Sequence, residues 1–304
     1  MKILVPVGGR SDEGLSAPVI RRLEKDKRFE VHTLQLSRDY VCAYLQVKHV
    51  CEDHKPHLVF VTGDRMEMAA AAAAAFNCRV PIAHFYAGIG NTLATVDDVH
   101  RHAITLWSSI QFCESRVAAN RVIDLRSAAG IPTKEVHVVG ISHLDDLQVW
   151  EGKKDIPDYK YDLVLYNPPT WLPEGEQQAA MQKDGTQISK ILQQKDHGAI
   201  FVGANADRGR EFVLEEVYTK QCYRTGDRFY ENLERPHFLG LLKHCQRFIT
   251  NSSVAIYEAP HFLPPDRIYL IGDRNRGRDR GPFERGASDK IVKILEGYAL
   301  TGLA

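Results

Sequence analysis

The sequence predicts an α/β protein of two domains, each a parallel sheet with helices on both faces. Three observations carry this. Short apolar runs of strand length alternate with segments of helical period along the chain. A polar stretch over 151–160, holding Gly152 and Pro157 and no apolar period, separates one such series from a second. Charged residues stop the apolar runs, as in Leu58-Val-Phe-Val-Thr-Gly-Asp-Arg65. Open parallel sheets bind ligands outside such strand ends. The expected domains are 1–150 and 151–304, with a cleft between them.

Residues 2–7 read as the first strand. The turn Gly8-Gly9-Arg10-Ser11-Asp12-Glu13-Gly14 leads into a helix over 15–25. Such a turn can hold a phosphate or a sugar ring close to the backbone, or it can be a plain connection. It lacks the GxGxxG spacing of a dinucleotide site. A strand over 30–36 and a helix over 40–53 follow. The strand 58–62 ends at Gly63-Asp64-Arg65 and passes into an alanine-dominated helix over 66–76, whose small side chains let it lie close to a sheet. Strands at 80–84, 109–113 and 135–139 complete the first series. The strand at 80–84 ends at His84, and a Gly-containing loop then leads to Asp97-Asp98 and Arg101-His102 on a helix.

The second series opens with a strand over 163–167. A helix (176–194), a strand (199–202), a helix (235–245) and a strand (247–250) follow. A further helix starts near Ser252, a strand covers 268–271, and a last helix over 288–298 can pack back on the first domain. Two Rossmann-like halves with a cleft between them form the GT-B arrangement.

Composition narrows the function. Lys+Arg and Asp+Glu both number 39, so net charge gives no sign of a nucleic-acid or anionic-membrane partner. No apolar run approaches the ~18 residues of a membrane span. The N-terminal strand is too short for a signal peptide. Six cysteines without a CxxC pair read as free thiols in a reducing compartment, and the protein is expected to be cytoplasmic. No metal cluster and no HExxH, Walker or nucleophile-elbow motif is present in the sequence.

Asp64, His84, Asp97 and Asp98 are the candidate proton-transfer groups; the alternative is that Asp97-Asp98 only favour the dipole of the helix they open and that His84 is structural. Arg65, Arg101 and His102 are candidate anion-handling groups beside them. In the second half, Thr250-Asn251-Ser252-Ser253 ends a strand and opens a helix, with Glu258 five residues on. Free N–H groups at such a helix start suit a diphosphate, and Glu258 lies near enough to bond a ribose. Gly272-Asp-Arg274-Asn-Arg276-Gly-Arg278-Asp-Arg280 can clamp phosphates, or can be a solvated loop in which Asp273 and Asp279 damp the field. The absence of interleaved aromatic residues argues against nucleic acid.

At these residues the chain resembles the UDP-N-acetylglucosamine 2-epimerase family, especially its hydrolysing branch. Arg10-Ser11-Asp12-Glu13-Gly14 with Pro18 looks like that branch's opening R-[SA]-D-x-G-x-x-x-P. Gly63-Asp-Arg-Met-Glu-Met68 looks like its GDRxE segment. Asp97-Asp98-Val-His-Arg101-His102-Ala-Ile-Thr105 looks like its D-[DE]-x-x-R-H-A-I-T helix. Val138-Val-Gly140, Asn205-Ala-Asp207, Asn251-Ser-Ser253 with Glu258, and the Gly272–Arg280 stretch extend the likeness along most of the chain.

The resemblance implies a GT-B fold, a UDP-sugar bound as substrate with no resident cofactor, and a homo-oligomer. It implies proton work by Asp64, His84, Asp97 and Asp98. Arg10, Arg65, Tyr86, Arg101, His102, Asn167, Asn205 and Asp207 would contact the substrate. Asn251, Ser252, Ser253, Glu258, Arg274 and Arg278 would hold its nucleotide. Two departures stand out. The family's strand continues H-x-E-[GA]-G, and here it reads His84-Phe85-Tyr86-Ala87-Gly88, with Tyr86 at a glutamate assigned to catalysis. The second domain's first strand usually ends H-P-x-T, and here it is Asn167-Pro168-Pro169-Thr170. An amide does no acid/base work, and a tyrosine with a pKa near ~10 is a poor base at neutral pH. Two enzymatic functions are therefore expected: a hydrolysing UDP-GlcNAc 2-epimerase yielding ManNAc and UDP, or a GT-B glycosyltransferase passing the sugar to an acceptor. A nucleotide-sugar-binding scaffold is the non-enzymatic alternative.

Overall fold

The structure is a computed structural model describing residues 1–8, 10–90, 96–146, 149, 156–194, 196–205, 208–275, 277–278, 281 and 283–301; of residues 10–13 and 301 only the backbone is described. The chain divides into two compact units, Met1–Asp146 with Phe283–Ala304, and Leu147–Pro282.

The first unit carries β1 (Lys2–Val7), α1 (Arg10–Lys25), β2 (Glu30–Gln35), α2 (Tyr40–His54), β3 (Leu58–Thr62), α3 (Met66–Asn77), β4 (Ile82–Phe85), α4 (Val96–Trp107), β5 (Ile110–Cys113), α5 (Arg116–Ala128) and β6 (Val136–Val138). Its sheet runs β2-β1-β3-β4-β5-β6, parallel throughout. Strands β3, β4 and β5 are buried along their whole length, as a sheet covered on both faces requires. The alanines of α3 pack against Ala43, Val47 and Val50 of α2 and against Val59 and Val61 of β3, so small side chains bring this helix close to its neighbours. The chain leaves β1 towards β2 and leaves β3 towards β4. The direction of winding therefore switches between β1 and β3, and Asp64 follows β3 at that switch.

The second unit carries β7 (Tyr161–Leu165), α6 (Glu174–Leu192), β8 (Gly198–Val202), α7 (Arg210–Phe212) running into a π-helical stretch (Val213–Cys222), β9 (Arg228–Tyr230), α8 (Arg235–His244), β10 (Phe248–Thr250), α9 (Val254–Tyr257) and β11 (Ile268–Leu270). Its parallel sheet runs β11-β10-β7-β8-β9, and its winding switches between β7 and β10. Asp162 of β7 joins these strands underneath, pairing with Arg247 before β10 and, at 3.0 Å, with His197 before β8.

The last helix, α10 (Ala287–Thr301), lies in the first unit although the sequence series would group it with the second. Ala287, Ile291 and Leu295 form a wholly buried stripe on it. Asp289 and Glu296 pair with Arg22 (2.6 Å) and Arg28 (2.5 Å) of the first unit. The Asp145 carboxylate accepts from the backbone N–H groups of Gly286 (2.5 Å) and Ser288 (2.8 Å), capping the helix start. The helix expected from Ser252 is a single turn, because Pro260 follows and the chain tightens into a 3₁₀ turn over Ala259–His261.

Candidate functional site

In the first unit the polar groups gather where β3, β4 and β6 end. Gly63, in the left-handed region at φ 82°, turns the chain out of β3 and delivers Asp64. Arg101, buried on α4, places one guanidinium nitrogen on the Asp64 carboxylate and donates from the other to the carbonyl oxygen of Tyr86 at 2.8 Å. One side chain thus ties the ends of two adjacent strands.

Tyr86 itself has φ +64°, a conformation that a bulky side chain adopts only where its surroundings compel it. Its ring stacks on Phe85 at 4.0 Å. Its hydroxyl accepts from the backbone N–H of Ser142 (3.2 Å) and lies 2.9 Å from Nδ1 of His143 and 3.3 Å from the Ser142 hydroxyl. The Ser142 hydroxyl donates in turn to the Leu15 carbonyl at 2.5 Å. Burial raises the Tyr86 phenol above its ordinary value, so it stays protonated at neutral pH.

His84 is fully buried in β4. Its Nε2 lies 2.9 Å from the Gly63 carbonyl, which can only accept, so Nε2 carries the proton. Nδ1 then accepts from the Thr105 hydroxyl at 3.2 Å. Burial holds the imidazole down to about 4, so it is neutral at physiological pH. The sequence reads His84 as a proton-transfer group or a structural histidine; in the structure both its nitrogens are engaged, linking the end of β3 to α4.

Asp97 and Asp98 both lie in the first turn of α4, where the helix dipole favours carboxylates. Asp98 is buried and Asp97 exposed. His102, one turn on and half-buried, is pushed below its ordinary value by burial and by Arg101. Arg65 extends its Nε to the buried Glu67 carboxylate at 2.8 Å. Asp64, Tyr86 and Arg101 are therefore joined directly, and His84 reaches them through Gly63.

In the second unit an asparagine cluster occupies the switch between β7 and β10. Asn167 donates its backbone N–H to the Asn251 side chain at 2.8 Å, and the Asn251 amide donates back to the Asn167 carbonyl at 2.7 Å. The Asn167 side-chain oxygen accepts from the backbone of Asn205 (2.9 Å), and the Asn275 amide donates to the Asn251 carbonyl (2.8 Å). Four strand-end loops are held by these side chains. Ser252 accepts from the Val254 N–H at 3.4 Å, while Ser253 makes no side-chain cap.

Glu258 is buried, with one oxygen 2.6 Å from Arg235. Its other oxygen, Oε2, is buried with no hydrogen-bond partner among the described residues. Burial pushes this carboxyl up, against the pull of Arg235. Arg274 and Arg278 are half-buried on the loop after β11, and Nε of Arg278 is likewise buried without a hydrogen-bond partner among the described residues. Gly272, at φ 61°, lets that loop pass Asp184: a Cβ there would lie 2.5 Å from the Asp184 carboxylate. Asp207 and the side chain of Arg10 lie outside the described residues.

Sequence reasoning missed four polar residues here: Ser142, His143, Glu114 and Asn275. Glu114 is buried directly after β5, and Ser142 and His143 follow the Gly140 turn after β6. The strand-end rule that found Asp64 reaches all three. Asn275 sits between arginines, and its own chemistry is masked by theirs.

A sequence model of the UDP-N-acetylglucosamine 2-epimerase family matches residues 20–298, and the chain belongs to this family. It is similar to the GDP/UDP-N,N'-diacetylbacillosamine 2-epimerase (hydrolyzing) of Campylobacter jejuni, at 28% identity over 81% of this chain and 64% of that one. The UDP-N,N'-diacetylbacillosamine 2-epimerase (hydrolyzing) of Legionella pneumophila is 24% identical, covering 99% of this chain and 88% of that one. Against the first relatives the chain spans somewhat less than two thirds of their length, 64% of the Campylobacter protein and 60% of a Neisseria meningitidis UDP-N-acetylglucosamine 2-epimerase. Among solved structures, UDP-GlcNAc 2-epimerase from N. meningitidis bound to UDP-GlcNAc superposes with a TM-score of 0.77 at 16% identity, covering 98% of this chain and 100% of that one. An MnaA–UDP co-structure from S. aureus gives 0.78 at 18%, covering 99% and 97%. The fold is therefore GT-B-like, with each unit a parallel sheet between helices.

Proposed function

We propose that the chain is a hydrolysing UDP-sugar 2-epimerase, converting a UDP-2-acetamido sugar to its free 2-epimer and UDP. The observation that carries this reading is the Asp64 carboxylate held by Arg101 beside Tyr86 at the strand ends of a chain of this family. In the reaction a base takes the proton from C2. The C–H electron pair becomes the C1=C2 bond, and the C1–O pair leaves with UDP. Water then adds its hydroxyl to C1 while a proton returns to C2 from the opposite face. No electrons pass to a carrier, so the scheme needs no redox cofactor.

Asp64, Asp97 and Asp98 are the acidic groups proposed for the proton steps, and His84 fixes the strand ends beneath them. Arg10, Arg65, Arg101 and His102 are proposed to face the charged substrate. Asn167, Asn205, Asp207, Asn251, Ser252, Ser253, Glu258, Arg274 and Arg278 are proposed to hold the nucleotide. The buried Oε2 of Glu258 and Nε of Arg278 support this, as each would gain a hydrogen-bond partner from a bound ligand. Incubation with UDP-GlcNAc, or with UDP-N,N'-diacetylbacillosamine, followed by proton NMR tests the reading. Free 2-epimer and UDP in equal amounts support it. A donor consumed only after an acceptor is added, or no UDP from either sugar, overturns it.

A further inference from the structure

We propose that His143 is a proton-transfer group of this site, and that Tyr86 is the residue positioning it. The inference rests on the epimerase reading above. It starts from Tyr86, which is held at both ends: its backbone carbonyl accepts at 2.8 Å from Arg101, the guanidinium that also holds the Asp64 carboxylate, and its hydroxyl lies 2.9 Å from His143 Nδ1. These contacts link the ends of β3 and β4 to the turn after β6 within one unit. His143 is only partly buried, unlike Tyr86.

The chemistry lies in what the phenol can do. A hydroxyl donates one hydrogen bond and accepts two. The neutral imidazole with its hydrogen on Nδ1 donates to the phenol oxygen, which also accepts from the Ser142 N–H at 3.2 Å. The phenol hydrogen goes to the Ser142 hydroxyl at 3.3 Å, which can accept because its own hydrogen is on the Leu15 carbonyl at 2.5 Å. Nε2 is then the basic nitrogen, and a proton taken there leaves every hydrogen bond of the Tyr86–Ser142 pair in place. His84 shows the contrast in the same unit, since its Nε2 gives its hydrogen to a carbonyl and its Nδ1 accepts from the Thr105 hydroxyl.

A group that gains a proton and loses it again in each turnover needs a partner whose hydrogen bonds are the same in both states, and the Tyr86–Ser142 pair is such a partner. In the scheme, either the proton leaving C2 or the one delivered to its opposite face is held on Nε2 of His143, while Nδ1–H stays on the phenol oxygen. The balance of bonds is otherwise that given above. The conformation of Tyr86 fits this role: the strain of its positive φ brings the phenol to Ser142 and His143.

The test compares wild type with His143→Ala and His143→Gln on UDP-GlcNAc. Gln keeps an N–H donor for the phenol and guards against a folding defect. Both variants are expected to lose at least ~100-fold in kcat, with KM within about threefold. Added imidazole should restore at least about tenfold to His143→Ala, and Tyr86→Phe should lose kcat without imidazole rescue. A lost packing contact would not respond to imidazole. A variant kcat within about threefold of wild type, or a loss in His143→Ala that imidazole leaves unmoved, overturns the inference alone. A wild-type chain that releases no UDP from UDP-GlcNAc or from UDP-N,N'-diacetylbacillosamine overturns the epimerase reading, and this inference with it.

Discussion

The guanidinium of Arg101 lies on the carboxylate of Asp64, with 6% of the Arg101 side chain exposed and 23% of the Asp64 side chain. A second guanidinium nitrogen holds the Tyr86 carbonyl, so the pair is also a clamp on two strand ends. Removing the cation alone leaves a largely buried carboxylate without its partner. Arg101→Ala is expected to cost about 3 kcal/mol in urea unfolding. Arg101→Lys should cost about 1–2 kcal/mol, because an ammonium cannot hold both acceptors in the fork geometry. A lysine variant as stable as wild type would show that the fork is dispensable.

Asp64→Asn should leave the protein folded and nucleotide-competent. Its kcat is expected to fall at least ~100-fold, while the affinity for UDP, measured by calorimetry, stays within about threefold. Equal losses in both quantities would place Asp64 in binding rather than in proton transfer.

His84 makes stability depend on pH in a definite direction. Its folded value of about 4 lies below the ordinary 6.5, so between these values the unfolded chain binds more protons than the folded one. The stabilisation is fully present above pH 6.5 and is lost as pH falls towards 4, by up to roughly 3 kcal/mol. Urea titrations across that window should show wild type losing more stability than His84→Gln, whose amide does not titrate there. Parallel losses in the two proteins would contradict the buried, neutral imidazole.

In the second unit, Asn251→Ala removes two hydrogen bonds to Asn167 and leaves a buried N–H and carbonyl unpaired. A cost of about 3 kcal/mol and a UDP affinity at least ~10-fold weaker are expected. Unchanged calorimetric binding of UDP would separate the asparagine cluster from the nucleotide site.

Gly88 closes the turn after Tyr86. It has φ +74°, and a Cβ would lie 2.3 Å from the Ala118 carbonyl and 2.6 Å from Val122 on α5. Gly88→Ala is expected to cost about 3 kcal/mol, from the left-handed backbone and the overpacking together. Thermal melting is the check; a melting point within a degree of wild type would mean that the turn can move away from α5.

How much of this was legible in the sequence depends on the kind of signal. The strands 58–62 and 2–7 were readable because long apolar runs stop abruptly, and Asp64 was found by where its run stops. The π-helical stretch Val213–Cys222 and the three-residue β9 were not read: one lacks the 3.6-residue period, and the other is too short to alternate. Tyr86 was recognised only as a departure from a pattern. Its partner His143 is 57 residues away, and nothing local announces that contact. His84 was found at the right strand, but its role turned on burial and on the carbonyl opposite, which residue type alone does not carry.

The proposed epimerisation requires the strand-end cluster to break the C2–H bond of a UDP-sugar. Turnover of UDP-GlcNAc in deuterium oxide, followed by mass spectrometry of the released sugar, measures this directly. The predicted product is ManNAc carrying one deuterium at C2, with an equal amount of UDP. Released sugar without deuterium at C2, or donor that stays intact until an acceptor is supplied, would contradict it.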